Sequence, residues 1–356
     1  MKNEKLIVSI SGAVIGIIAV CLVILGNPAN MGFCIACFLR DTAGALKLHQ
    51  AAPVQYMRPE IIGLILGAAI MAFGKKELVA RAGSNPLVRF ILGFFVMVGA
   101  LMFLGCPLRM MLRIGAGDLN AIVGLVGFVI GIGCGIFALN KGFSLDRAYK
   151  VTLSESYVFP AIQIIFLVVL AAVPSLLMFS AEGPGSMHAP IIISLVAGLV
   201  VGGICQRTRF CTVAGIRDSF MFKDFTLLFG FISLIVACVV MNLIVGKFNL
   251  GFEAQPIAHT DAVWNVLGMV LVGFASVLLG GCPLRQLILS GEGNIDSVVT
   301  VIGMTVGAAF CHNFGLASSG EGSTPNGHVA VIVGLIVCVV IACVNIAANN
   351  KKAGAN

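Results

Sequence analysis

Ten stretches of this sequence, near 6–26, 60–74, 88–104, 119–140, 157–179, 189–205, 225–246, 262–279, 296–317 and 329–349, are candidate spans, the second of them short behind Pro59, where a helix needs roughly 20 apolar residues to cross a hydrocarbon layer. In lipid every backbone N–H and C=O must find its partner within the protein, so runs of this kind fold as helices. Composition points the same way. Hydrophobic residues make up 59% of the 356 and charged ones only 10%, against about 25% charged in a soluble domain. The fold class is therefore an all-α polytopic integral membrane protein with the lipid bilayer as its solvent. Soluble enzymes, disordered regulators and nucleic-acid binders are excluded. The net charge of +7 is no nucleic-acid footprint, because the basic residues stand between the apolar runs, where they act as topology signals.

Those signals are consistent. Residues 75–89 hold Lys75, Lys76, Arg81 and Arg89, residues 141–150 hold Lys141, Arg147 and Lys150, and the two ends carry Lys2, Lys5, Lys351 and Lys352. Residues 180–188 and 318–328 have no Lys or Arg, only Glu182 and Glu321, and 247–261 sets one Lys against Glu253 and Asp261. Ten spans with both termini in the cytoplasm put the basic segments inside. The exception is 47–58, with Lys47 and Arg58 on the outer side. The first run follows Lys2 and Lys5, yet it is long and no small-x-small cleavage site follows, so it reads as a span and not a signal peptide.

An internal repeat then fixes the architecture. Phe33-Cys34 with Arg40-Asp41 matches Phe210-Cys211 with Arg217-Asp218, and Gly105-Cys106-Pro107-Leu108-Arg109 matches Gly281-Cys282-Pro283-Leu284-Arg285. Gly115, Gly117, Gly127 and Gly131 continue in register with Gly291, Gly293, Gly303 and Gly307. The offset covers five spans, an odd number, so the copies enter the membrane in opposite orientations. The expectation is two inverted five-span repeats, 1–179 and 180–356, with a substrate site near the midplane where they meet.

The repeated residues suggest chemistry. Pro107 and Pro283 suit the first turn of a helix, which makes Cys106 and Cys282 its N-caps. Gly115 and Gly291 end each helix after a few turns, too short to span, so these are re-entrant or broken helices carrying cysteine motifs. A thiol at a helix N-terminus beside free N–H groups suits a soft anion. The plainer alternative is a helix breaker with a small residue before proline. Arg109 and Arg285 have no nearby carboxylate in sequence and favour attracting an anion. Arg40 and Arg217 can instead pair with Asp41 and Asp218 and lock the repeat. The substrate path expected from these motifs is Cys34, Cys106, Cys211, Cys282, Arg109 and Arg285, with Gly105, Gly281, Pro107, Pro283, Arg40, Asp41, Arg217 and Asp218 in support.

Other chemistries fit less well. Cys34-x-x-Cys37 has redox spacing, but its counterpart is Cys211 with Ala214. Among the twelve cysteines, Cys21, Cys238, Cys338 and Cys343 lie in apolar runs and read as small buried hydrophobes. The histidines at 49, 188, 259, 312 and 328 show no metal-ligand spacing. Gly74-Lys75-Lys76 lacks the rest of a phosphate-binding loop. No catalytic residue, metal or cofactor is assigned. The alternatives to transport are a membrane thiol–disulfide oxidoreductase using Cys34 and Cys37, and a soft-metal permease.

With its Arg207-x-Arg209-Phe-Cys-Thr-Val-Ala-Gly-Ile-Arg-Asp218 run and two Gly-Cys-Pro elements, the chain resembles the YeeE/YedE family of bacterial inner-membrane proteins over roughly 10–345. The resemblance implies import of a small sulfur-containing anion, thiosulfate in the characterised branch, handed along cysteines without a large conformational cycle. This sequence looks closer to a branch assigned to selenium transport. By the same resemblance Cys106 and Cys282 match paired midplane cysteines, and Cys34 or Cys211 an entrance cysteine. A cytoplasmic sulfur- or selenium-carrier protein is the partner to consider. Pro-Leu-Arg after both midplane cysteines departs from the thiosulfate branch and leaves the ion open among thiosulfate, selenite and reduced selenium species.

Overall fold

The computed structural model describes residues 2–146 and 148–354. Arg147, counted above among the basic residues, lies outside the described residues, as do the side chains of Lys2 and Lys352. The first seven helices are α1 (Lys2–Ile24), α2 (Ile35–Ala45), α3 (Pro59–Gly74), α4 (Pro86–Met102), α5 (Pro107–Gly115), α6 (Leu119–Asn140) and α7 (Glu155–Ala172). The next seven are α8 (Ile191–Thr208), α9 (Thr212–Met221), α10 (Thr226–Ile244), α11 (Ala262–Leu278), α12 (Pro283–Gly291), α13 (Ile295–Asn313) and α14 (Pro325–Gly354). Among the described residues ten helical stretches are long and apolar enough to cross a membrane.

Local sequence explains where these helices begin. Proline occupies the first turn of α3, α4, α5 and α12, where its missing N–H costs nothing. The side chains of Asn85, Asp118 and Asn294 cap α4, α6 and α13 by accepting an N–H from Val88, Asn120 and Ser297. The breaks between α4 and α5 and between α11 and α12 turn through a left-handed residue. That residue is Gly280 in the second copy (φ +81°) and Leu104 in the first (φ +61°). A leucine there is strained, and packing holds it, since Leu104 is buried.

Helix pairing follows the glycines. α6 lies along α11 and α4 along α13; α3 lies along α8 and α1 along α10. A Cβ on Gly127 or Gly131 would strike the carbonyls of Val266 and Val270 on α11. One on Gly303 or Gly307 would strike backbone at Phe90 and Phe94 on α4. Gly63 and Gly67 sit likewise against Leu195 and Leu199 of α8. Small residues let backbones approach and gain dispersion contacts where lipid offers no hydrophobic drive. The outlying helices differ: α7 packs on α3, whereas α14 packs on α4 and α11.

The loops gather into two sets at opposite ends of the helices. At one end Asn27 bonds Ala189, Arg58 bonds Pro184 and Met187, and Ser323 bonds Asp261. Residues 116–119 join this end through backbone bonds with Asn249 and Gly251. At the other end Val79 and Arg81 donate to the carbonyls of Glu292 and Gly293, and β1 (Arg81–Ala82) pairs with β2 (Tyr149–Lys150). α2 leaves from and returns to the first end, so it is re-entrant. α5 behaves similarly, because Leu101 and Met102 before it and Ala116 after it bond loops of that same end.

Candidate functional site

Each short helix is capped by one of the repeated cysteines. Cys34 caps α2 and its sulfur accepts the N–H of Cys37 at 3.3 Å; Cys211 caps α9 and accepts that of Ala214 at 3.5 Å. Cys106 and Cys282 cap α5 and α12 as the prolines led us to expect. The caps then meet in pairs. The Cys106 sulfur accepts the N–H of Ile35, the first residue of α2, at 3.3 Å. The Cys211 sulfur accepts the N–H of Cys282, at the start of α12, at 3.4 Å. Both bonds join residues 71 apart in sequence. The Cys34 thiol also interacts with that of Cys106, and the Cys211 thiol with that of Cys282. Two helix N-termini therefore converge on each buried thiol pair. Such a place favours negative charge, and a sulfur that accepts an N–H keeps its S–H free to donate.

The arginines are placed less uniformly than the sequence implied. Arg109 is fully buried and all its donors are engaged. Nε bonds Asn30 O at 3.3 Å, Nη2 bonds Ile257 O at 3.1 Å and Pro256 O at 3.5 Å, and Nη1 bonds Leu104 O and reaches the Cys37 sulfur at 3.8 Å. Among the described residues no carboxylate pairs with it, so its charge remains beside the first thiol pair. Arg285 does have a partner, contrary to the sequence reading: its Nη1 bonds Glu292 Oε1 at 2.8 Å. Glu292 lies two turns farther along, past the end of α12, where sequence distance hides the contact. Burial raises the Glu292 carboxyl above its usual range against the pull of Arg285.

Arg40 and Arg217 do pair with their neighbours Asp41 and Asp218, each at 2.8 Å. The first pair is embedded in more structure. Asp41 also takes Arg58 Nε at 2.8 Å, and Arg58 lies over the rings of Phe38 and Tyr56. His49 accepts the Ala51 N–H on Nδ1, which leaves the proton on Nε2 for the Arg40 carbonyl at 3.0 Å. Burial lowers the pKa of this ring. Gly105 and Gly281 lie against the aliphatic stems of Arg109 and Arg285.

Sequence reasoning missed several polar residues. Arg58, read as a loop charge, is fully buried. Arg113 is fully buried too, bonded to Asp118 at 2.6 Å and to Phe103 O at 2.9 Å. Glu60 accepts from Asn27 at 2.8 Å and from Ser194 at 3.0 Å, with Oε2 unpartnered. Cys205, inside an apolar run, is fully buried. Any charge in so apolar a chain is a signal, but Arg113 and Glu60 stand outside the repeat, where no motif marks them.

Two cavities open at opposite ends of the helices, and among the described residues no cysteine lines either of them. One, of about 370 Å³, is lined by Asn30, Asn242, Lys247, Asn249, Gln255 and Pro256 among others. The other, of about 280 Å³, is lined by Glu77, Arg81, Gln206, Arg209, Arg285 and Glu292 among others. Among the described residues no group of three or more His, Cys, Asp or Glu is arranged to hold a metal.

Fold and site together define a multi-pass α-helical membrane protein built around paired, thiol-capped helix N-termini. Residues 207–351 match the model of the Sulphur transport family. The chain is also 31% identical over 119 residues to the thiosulfate transporter TsuA of Escherichia coli (strain K12), a match covering 32% of each chain. It thus spans about a third of that relative's length. Both matches agree with the resemblance that the motifs carry.

Proposed function

We propose that the protein carries a small sulfur- or selenium-containing inorganic anion across a bacterial inner membrane along a path through the two thiol pairs. One observation carries the reading: two repeat-related thiol pairs, each buried at convergent helix N-termini, in a protein with a cavity opening at each end of the helices. The ion enters the outer cavity, drawn by Arg109, and accepts S–H donors from Cys34 and Cys106. It passes to Cys282 and Cys211 and leaves by the inner cavity past Arg285, toward a cytoplasmic sulfur- or selenium-carrier protein. Thiols suit this step because they are polarizable and weak as donors, so the ion is held without being trapped. The matched relative's activity and the family's description favour the same class of cargo. Uptake into proteoliposomes, with thiosulfate, selenite, sulfite and Cu(I) compared side by side, tests the reading. Uptake of Cu(I) alone would overturn it.

The two halves, 1–179 and 180–356, are on this reading inverted copies with both termini cytoplasmic. The reciprocal pairing of α6 with α11 and α4 with α13 supports it. Labelling of introduced cysteines on a background lacking the native ones checks the orientation. Glu182 and Lys150, both exposed, suit this better than Gly185, which is buried in the same loop as Glu182. Glu182→Cys should react with an impermeant reagent only from outside and Lys150→Cys only from inside. The reverse pattern rejects the topology.

Cys37 has no counterpart in the second copy, so a disulfide cycle with Cys34 is not part of the proposed path. Cys37→Ala should retain uptake within about threefold of the parent, since the lost Arg109 contact to sulfur is a weak hydrogen bond. Complete loss of uptake with normal insertion would instead favour the oxidoreductase.

A further inference from the structure

The inner cavity holds an ion pair that its outer counterpart lacks. Arg285 and Glu292 are bonded at 2.8 Å, and their side chains remain 13% and 18% exposed on the cavity wall. Arg109, at the same place after the same Gly-Cys-Pro-Leu, pairs with no carboxylate among the described residues, and position 116 in register with Glu292 is alanine. The motif therefore folds without this acid. Glu292 is also placed at a cost. It caps the C-terminus of α12, where the helix dipole disfavours negative charge, and it is largely withdrawn from water. Its backbone is pinned, since its carbonyl accepts the Val79 N–H at 3.3 Å, so only the side chain is free to swing.

The surroundings are those of an anion site. Arg81 and Arg209 line the same cavity as Arg285, against the carboxylates of Glu77 and Glu292. Glu77 is already engaged by Gln206 Nε2 at 2.9 Å and by Arg207 at 3.9 Å. Gln206 is buried on the cavity wall with its Oε1 unpartnered, an acceptor free for a water or for the proton of a protonated oxyanion.

We propose that Glu292 is the resting occupant of an oxyanion site built on Arg285 in the inner cavity, and that the permeating ion displaces it on the way out. The inference rests on the transport reading above and adds a device to it. The ion replaces one carboxylate on the guanidinium, and Glu292 then returns and expels the ion toward the open face. Exit is driven by a tethered competitor and needs no movement of the helices.

Binding of thiosulfate to the purified protein, with uptake measured in parallel, tests this. Glu292→Gln keeps the size and loses the charge, and should bind thiosulfate about tenfold more tightly while turning over more slowly at saturation. Glu292→Ala should show the same gain, which guards against an effect of the amide alone. Adding Arg285→Gln should erase it. Unchanged affinity in both Glu292 variants, with the parent still binding and carrying thiosulfate, overturns the proposal and leaves the transport reading standing. A gain that survives Arg285→Gln also overturns it, because the carboxylate would then act by general repulsion. If the parent neither binds nor carries thiosulfate or selenite, the transport reading falls and takes this proposal with it.

Discussion

Alanine at Cys106 or at Cys282 is expected to cut uptake by about ten- to a hundredfold, the worth of one hydrogen bond to a charged ligand. Each sulfur sits at a helix N-cap in a buried pair, and the two pairs lie in series on the proposed path. Loss of either donor leaves a step that the other cannot bypass. The double variant should therefore fall little further than the worse single one, since groups acting in one sequence are not additive. Serine separates chemistry from packing. It keeps a donor, but its shorter bond to oxygen draws the acceptor away from the Ile35 N–H that Cys106 now takes at 3.3 Å, and it lacks the soft sulfur. Cys106→Ser and Cys282→Ser should fold and transport poorly. Parental uptake in both would mean that the thiols are only small residues before proline.

Asp41→Asn should destabilise the protein severely, by about 3–5 kcal/mol, the usual cost of removing one partner of a buried ion pair. The carboxylate is fully buried and holds two guanidiniums, Arg40 on Oδ1 and Arg58 on Oδ2. Arg58 in turn grips the carbonyls of Pro184 and Met187 at 2.8 and 3.0 Å, so the loop 180–188 should loosen with it. The repeat supplies the control. The Asp218 side chain, in register, bonds Arg217 alone among the described residues, in a pair more than a fifth exposed, and Asp218→Asn should cost under about 1 kcal/mol. Thermal unfolding in detergent, with monodispersity on size exclusion, reads both. Equal shifts for the two variants would show that burial is not what sets the worth of this network.

That contrast shows why repeat arithmetic stops short. Arg40-Asp41 and Arg217-Asp218 are the same dipeptide, and sequence gave both the same local lock. Arg58 arrives only on the first, from a position that reads as an outer-loop charge. Cys106 and Cys282 were legible as N-caps because proline after cysteine and glycine nine residues on mark a short helix by local rules. The bonds that couple Cys106 to Ile35 and Cys282 to Cys211 cross 71 residues, and no local pattern announces them. Arg285 reads as unpaired in sequence because Glu292 stands past the end of its helix.

The sequence by itself determined that this chain is a membrane protein of about ten helical spans with a duplicated motif of cysteine, proline and arginine, because lipid forbids unpaired backbone and turn chemistry is local. Only the tertiary structure decided which thiols share a site, which buried arginines are spent on carboxylates or carbonyls, and where the two cavities open. Those outcomes depend on side chains brought together by helix packing, where burial sets the strength of each charge and hydrogen bond, and burial is a property of the assembled fold.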